Sequence, residues 1–321
     1  MSEIVALGEL LIDFTPAGKS EKGNQLFETN PGGAPANVLA AVARLGGKTG
    51  FIGKVGADQF GHFLQEVLQG LGIDTSGLLV TNEAQTTLAF VHLTADGDRS
   101  FSFYRDPGAD VLLRADELQT EWFGHARFFH FSSNSLTAEP ARSATQKAIQ
   151  LAKAQKALIS FDPNIRLPLW KEPHRIKEQI EACLPHVDFL KVSREELEFV
   201  TGCSDLAEGT LWLYEKYGIR VIFVTLGAEG CYFRAGEQTG MQAGYTVKTV
   251  DTTGAGDAFC GAVLYRLLQI SDPAACEVEQ LAEIVDFANA AGALSTAKMG
   301  AIPAMPTFAQ IEQLRKTVTS P

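Results

Sequence analysis

Apolar positions along this chain fall into two alternating patterns. Short runs rich in Val, Ile and Phe occupy residues 4–6, 49–52, 127–131, 158–161, 189–192 and 221–225. Between them, residues 35–45, 60–71, 141–154 and 179–184 carry apolar positions at helical spacing. Buried runs that alternate with helices predict an α/β fold: a central, mainly parallel sheet covered by helices on both faces. Ligands in such sheets sit at the carboxyl ends of the strands.

Two stretches break the rhythm. Residues 10–30 mix polar and apolar positions without a clear helix. Residues 86–105, TTLAFVHLTADGDRSFSFYR, alternate on both sides of Ala95-Asp96-Gly97-Asp98. That alternation predicts a β-hairpin with an Asp-Gly turn. A hairpin inserted into an α/β chain reads as a lid, a subunit contact or an edge ornament. No repeat, low-complexity tract or linker divides the 321 residues, so residues 1–321 are expected to form one domain.

Charge and composition narrow the function. A formal net charge of -11 argues against nucleic acid or an anionic membrane as a general partner, but leaves room for a small anionic ligand. The five cysteines, Cys183, Cys203, Cys231, Cys260 and Cys276, are scattered and form no CxxC pair. They read as reduced thiols of a cytoplasmic protein. The start, MSEIVALGELLIDF, lacks the basic leading region of a signal peptide, and no run of about 20 apolar residues predicts a membrane span.

The glycine motifs carry the chemistry. Gly46-Gly47-Lys48-Thr49 contains the end of a P-loop, but position 42 is valine and the segment precedes a strand. Gly254-Ala255-Gly256-Asp257-Ala258-Phe259 fails as a dinucleotide fingerprint, because Phe259 stands where glycine is needed. It reads instead as a loop entering a helix over residues 258–268. Free N–H groups and the helix dipole would make an anion hole suited to phosphate there. Asp257 in the first turn is either a complement to the dipole or a base beside a phosphate. A second glycine pair, Gly32-Gly33, precedes the helix that contains Asn37, whose amide donates and accepts and so suits a polyol.

Taken together, the two motifs resemble the paired signatures of the ribokinase (PfkB) family of carbohydrate kinases. GGAPANVLAAVARLGGKTGFIGKVGADQFG, residues 32–61, is similar to the first and DTTGAGDAFCGA, residues 251–262, to the second. GELLID at 8–13, TLGAEG at 225–230 and the segment from FANAA at 287 to Gly300 extend the resemblance over nearly the whole chain. ALGELLIDFTP, FYRDPGADVLL and FDPNIRLPLW look most like fructokinases. A 2-keto-3-deoxygluconate kinase is the nearest competitor.

The resemblance implies a ribokinase-like three-layer fold with a small β lid drawn from residues 12–31 and 86–109. It implies ATP and magnesium, with potassium as a further cation, a small sugar as substrate, and a homodimer. It assigns Asp257 as catalytic base and Gly254, Ala255 and Gly256 as the anion hole. Asp13, Gly33, Asn37, Arg105 and Arg166 fall on the sugar side, and Thr225, Gly227, Gly230 and Asn289 on the nucleotide side. Asp251, Thr253, Ser295 and Gly300 fall where related enzymes hold a monovalent cation. Glu196 matches the acid of an Asn-x-x-Glu motif that organises water and magnesium, but Ser193 replaces the asparagine. Arginines also suit a carboxylate through paired N–H bonds, which is the physical case for the keto acid. Alternatively, either arginine pairs with an acid such as Asp106 or Asp162. A dehydrogenase lacks its fingerprint here, and a binding protein without turnover would be expected to have lost Asp257.

Overall fold

In a computed structural model, which describes residues 1–93 and 99–318, thirteen strands form two sheets. The strands are β1 (Ile4–Leu7), β2 (Leu11–Lys19), β3 (Gln25–Gly32), β4 (Thr49–Gly56), β5 (Asp74–Thr81), β6 (Leu88–Leu93), β7 (Arg99–Tyr104), β8 (Phe128–Ser132), β9 (Leu158–Asp162), β10 (Phe189–Ser193), β11 (Val221–Thr225), β12 (Gly230–Ala235) and β13 (Gln238–Ala243). Nine of them make the large sheet, ordered β13-β12-β11-β10-β9-β8-β1-β4-β5. From β11 to β5 every pairing is parallel, while β12 and β13 add antiparallel at one edge.

The described helices are α1 (Ala34–Arg44), α2 (Gln59–Gly70), α3 (Ala141–Ala154), α4 (Ile176–Cys183), α5 (Arg194–Thr201), α6 (Leu206–Tyr217), α7 (Ala255–Leu267), α8 (Val278–Ser295) and α9 (Phe308–Val318). They cover both faces, because successive strand residues point to opposite sides. Ile4 and Ala6 of β1 pack with Val38, Phe259 and Ile284 on one side. Val5 and Leu7 pack with Ala148, Ile180 and Leu213 on the other. The six apolar runs are all strands, and helix α3 has its expected bounds. Helix α7 differs: it begins at Ala255, so Ala255 and Gly256 are helical rather than part of an entering loop.

Residues 10–30 prove to hold two strands. β2 and β3 pair antiparallel, and β2 also pairs parallel with β6 of the 86–105 hairpin, giving a small sheet ordered β3-β2-β6-β7. The alternating pattern in 86–105 announced β6 and β7; their Asp-Gly turn at 95–98 lies outside the described residues. The pattern in 10–30 was opaque because most of β3 is exposed and both strands carry a proline. Such strands sit at or near a sheet edge and need few apolar residues. Phe14 stacks on Phe90 at 4.7 Å, with Phe27 and Phe60 edge-on to Phe14, and this cluster holds the small sheet together.

The small sheet is tied to the large one at Asp58, the N-cap of α2. Asp58 Oδ1 accepts from Gly61 N at 2.8 Å and from Thr86 Oγ1 at 2.8 Å, while Oδ2 accepts from Thr86 N at 2.8 Å. Burial acts to raise its pKa, but the Thr86 and Gly61 N–H groups outweigh it and hold the carboxyl below its usual range. Asp58→Ala is expected to lower the unfolding free energy by about 1–2 kcal/mol through the lost cap. Denaturant titration measures this, and an unchanged midpoint would show that the cap contributes nothing.

Candidate active site

The carboxyl ends of β1, β8, β9, β10 and β11 open into a cleft of about 660 Å³. Glu9, Asn134 and Asn164 follow the first three of these strands, and Ser193 and Thr225 end the last two. Phe101 and Phe103 of the small sheet form part of the wall. No helix among the described residues is long and apolar enough to cross a membrane.

Asp257 is the third residue of α7. Its cap residue, Gly254, has φ 77, and no side chain caps the helix start. A Cβ at Gly254 would lie 2.7 Å from the Ala301 Cβ, so both the backbone conformation and the space call for glycine. The first N–H groups of a helix have no carbonyl one turn back. An uncapped start beside a cleft therefore offers donors and the positive end of the dipole to an anion.

The Asp257 carboxylate is held from both sides. Asn37 Nδ2 donates to Oδ2 at 2.8 Å, and Asn164 Nδ2 to Oδ1 at 3.3 Å. Burial pushes its pKa up to about 6, against the Asn37 hydrogen bond and with help from the Asp162 charge. Across the cleft, Asp13 lines the wall, and burial pushes its pKa up to about 7 although Arg166 opposes the shift. The Oδ1 atoms of Asn37 and Asn134 are buried without a hydrogen-bond partner. Unpaired buried acceptors are costly in the empty protein and fit ligand hydroxyl donors.

The structure gathers most of the expected residues. Asp13, Gly33, Asn37, Arg166, Ser193 and Thr225 line the cleft together with Glu196 and the segment 253–257. Arg105 does not. Its guanidinium is paired with Asp110, and the acids suggested as partners go elsewhere: Asp106 to Lys171 and Asp162 to Lys191. Gly227, Gly230 and Asn289 also lie outside the cleft lining. Gly230 opens β12, and Asn289 Nδ2 donates to the Gln242 and Ala243 carbonyls at 3.1 and 3.0 Å, so both pack on the end of β13.

Asp251 stitches the segment before α7 to the segment after α8. Thr253 N donates to its Oδ1 at 2.7 Å and Gly300 N to its Oδ2 at 3.0 Å. Ser295 Oγ donates to the Gly292 carbonyl at 2.8 Å. Glu196 proves to be a capping acid: its Oε2 accepts from Ser193 N and its Oε1 from Ile165 N, each at 2.8 Å. The Ser193 hydroxyl accepts from Glu196 N at 3.1 Å.

Sequence reasoning missed Lys191, Asn164, Glu9 and Asn134. Lys191 is buried in β10 with Nζ 2.9 Å from Asp162 Oδ2. Burial works against its charge, but the Asp162 and Glu196 carboxylates outweigh that and hold its pKa above the ordinary lysine value. The signal was present: a lysine inside an apolar run that reads as a strand buried on both faces. Asn164, at φ 44, had no such signal beyond its place after β9.

The pfkB family carbohydrate kinase pattern matches residues 1–308. The chain belongs to the pfkB family of carbohydrate kinases. This pfkB kinase is 46% identical over 314 residues to Fructokinase-1 of Zea mays, with 97% of each chain covered. It superimposes on a fructokinase from Xylella fastidiosa with bound ATP at a TM-score of 0.91, 34% identity and 100% coverage of both chains. It also matches a Vibrio cholerae O395 fructokinase in a fructose-, ADP- and calcium-bound form at a TM-score of 0.89 and 36% identity, covering 98% and 99% of the two chains.

Two predictions follow from the geometry. A Cβ at Gly256 would lie 3.0 Å from Lys191 Nζ. Gly256→Val is therefore expected to reduce turnover more than ATP affinity, because it crowds donors that act on developing charge. Collapsed ATP binding with normal turnover at saturation would reassign this segment as a nucleotide clamp. For Asp13, a folded-state pKa near 7 against an ordinary 3.8 means that stability is lost as pH rises through the folded value. Asp13→Asn should raise the Tm of the ligand-free protein by an amount that grows from about pH 5 to pH 8. A gain independent of pH would show that the carboxyl is not held in its neutral form.

Proposed function

We propose that this chain is an ATP-dependent fructokinase that transfers the γ-phosphoryl group of ATP to the C6 hydroxyl of D-fructose, giving fructose 6-phosphate and ADP. The observation that carries this reading is the Asp257 carboxylate, buried at the uncapped start of α7 and held by two asparagine amides at the floor of the cleft. The relatives support the substrates: they are fructokinases along the whole chain, and the solved ones hold ATP or fructose with ADP.

Phosphoryl transfer asks the protein for positioning and charge stabilisation. Asp257 takes the proton of the attacking hydroxyl, and a pKa near 6 makes it ionised yet basic at neutral pH. Asp13 and the free Oδ1 atoms of Asn37 and Asn134 accept hydrogen bonds from the other sugar hydroxyls. The α7 N–H groups and Lys191 stabilise negative charge on the transferring group. The small sheet acts as a lid whose Phe101 and Phe103 exclude water, which would otherwise compete with the sugar.

The family implies two cations, and among the described residues no cluster of three or more Asp, Glu, His or Cys side chains could hold a metal directly. Hard cations take oxygen ligands. Glu195 and Glu196 line the cleft, and Glu196, with both oxygens already accepting N–H groups, would meet magnesium through water. A divalent ion bound there neutralises phosphate charge. Potassium would sit near the point where Asp251 ties Thr253 to Gly300, with backbone carbonyls as its ligands.

The enzyme acts in the cytoplasm, in keeping with five free cysteines, and as a homodimer. The small sheet supports the dimer: on its face away from the cleft, Phe27 and Tyr104 are 39% and 68% exposed and pack on Phe90. Light scattering tests this, and a monomer at micromolar concentration would overturn it.

A sugar panel with ATP and magnesium, read as coupled ADP release, tests the function. Fructose should exceed 2-keto-3-deoxygluconate and ribose in kcat/KM, and a tenfold preference for the acid would overturn the assignment. Asp257→Asn should lower kcat by about 10²- to 10⁴-fold with little change in sugar binding. In the wild type, kcat should fall as pH drops through about 6, where Asp257 takes up a proton. Half or more of the activity surviving in Asp257→Asn would remove its role as base.

A further inference from the structure

Behind the sugar end of the cleft lies a buried ion pair that the transfer reaction leaves unused. Arg105, just after β7, donates to Asp110 Oδ2 through Nε at 2.8 Å and Nη2 at 2.5 Å. Its Nη1 donates to Thr137 Oγ1 at 2.9 Å, and Nη2 also reaches the Asn134 carbonyl at 3.1 Å. The other Asp110 oxygen accepts from Thr87 Oγ1 at 2.5 Å. The two charged side chains are 6% and 1% exposed.

An arginine reads a carboxylate through a free edge with two parallel N–H groups. Arg105 has no such edge left: Asp110 occupies the Nε–Nη2 edge, and Thr137 Oγ1 with the Asn134 carbonyl occupies the Nη1–Nη2 edge. Its position matters because Asn134, on which it rests, lines the cleft and donates from Nδ2 to Glu9 Oε1 at 3.1 Å. At this end Glu9 has Arg105 as its nearby cation, Asp13 has Arg166, Asp110 has Arg105, and Asp257 shares Arg166 with Lys191. With Arg105 neutralised, a sugar that carries its own carboxylate meets excess negative charge and one exposed arginine.

We propose that Asp110 is a specificity residue: by holding Arg105 it keeps the sugar end of the cleft selective for neutral sugars over sugar acids. This rests on the fructokinase reading. Asp110 acts through Arg105 and is not placed in contact with substrate.

The test compares kcat/KM for fructose and for 2-keto-3-deoxygluconate in the wild type, in Asp110→Asn, and in the double variant Arg105→Leu with Asp110→Leu. Asp110→Asn removes the charge that neutralises the guanidinium and loosens its hold, and should shift the acid-to-fructose ratio upward by roughly tenfold or more, the worth of a charged hydrogen-bond pair. The double variant should return the ratio to the wild-type value. Thr87→Val loosens the same carboxylate more mildly and should shift the ratio in the same direction, which keeps the test decisive if Asp110→Asn does not fold. An unmoved ratio, with both substrates weakened alike, would make the pair purely structural and overturn the proposal. So would a gain that persists in the double variant. A wild-type preference for the acid would instead overturn the fructokinase reading itself.

Discussion

A carboxylate kept out of water yet still able to ionise is the constraint around which this molecule is arranged. Asp257 has to be buried for its pKa to rise toward neutrality, and a buried charge without partners would be prohibitive. Asn37 and Asn164 supply hydrogen bonds to its two oxygens, while Lys191 and Arg166 supply compensating charge. Asn37 comes from α1, Asn164 from the segment after β9 and Lys191 from β10. The order of strands in the large sheet matters because it brings these separate pieces to one point.

The same cleft is costly to maintain. Asp13 and Asp257 both lie above their ordinary pKa, so their ionised forms at neutral pH work against folding. Asn37 and Asn134 each leave a buried acceptor unpaired. These costs fall on atoms that face the cleft, where ligand hydroxyls can satisfy them. Several acids are fully closed: Asp251 accepts two backbone N–H groups and Asp58 three donors away from the cleft, and Glu196 at its edge accepts two backbone N–H groups. Buried groups without a partner also occur at Thr49, Ser133, Trp170 and Tyr232, but the two asparagine oxygens belong to residues that line the cleft, as expected of a site that trades stability for binding.

The small sheet links these regions mechanically. Thr86, at the entry to β6, is held by Asp58, and Thr87 by Asp110, which in turn grips Arg105 just beyond β7. Both ends of the hairpin are thus pinned to the body by buried or half-buried hydrogen bonds, and Asn134 connects that anchor to the sugar end of the cleft. The strands between carry Phe101 and Phe103 toward the cleft and the Phe14, Phe90 and Tyr104 cluster away from it.

Local pattern by itself determined the alternation of strand and helix, the presence of a helix at the Asp257 motif, though not its start at Ala255, and the family to which the chain belongs. Those features are periodicities or short motifs, and neighbouring residues suffice to express them. It also pointed to Asp13 and Asn37, because their motifs are contiguous. It did not reveal the strands in residues 10–30, whose stability comes from pairing with each other and with a hairpin strand 76 residues on, Ile12 opposite Leu88. Only the tertiary structure decided that Arg105 belongs to Asp110 and that Glu196 caps α5 and holds Ile165. It alone placed Lys191 beside Asp162 and Gly256. A charged side chain is indifferent to sequence distance; its partner is whichever opposite charge the packed chain leaves within a few ångströms in a medium of low dielectric, and that is settled when the strands assemble.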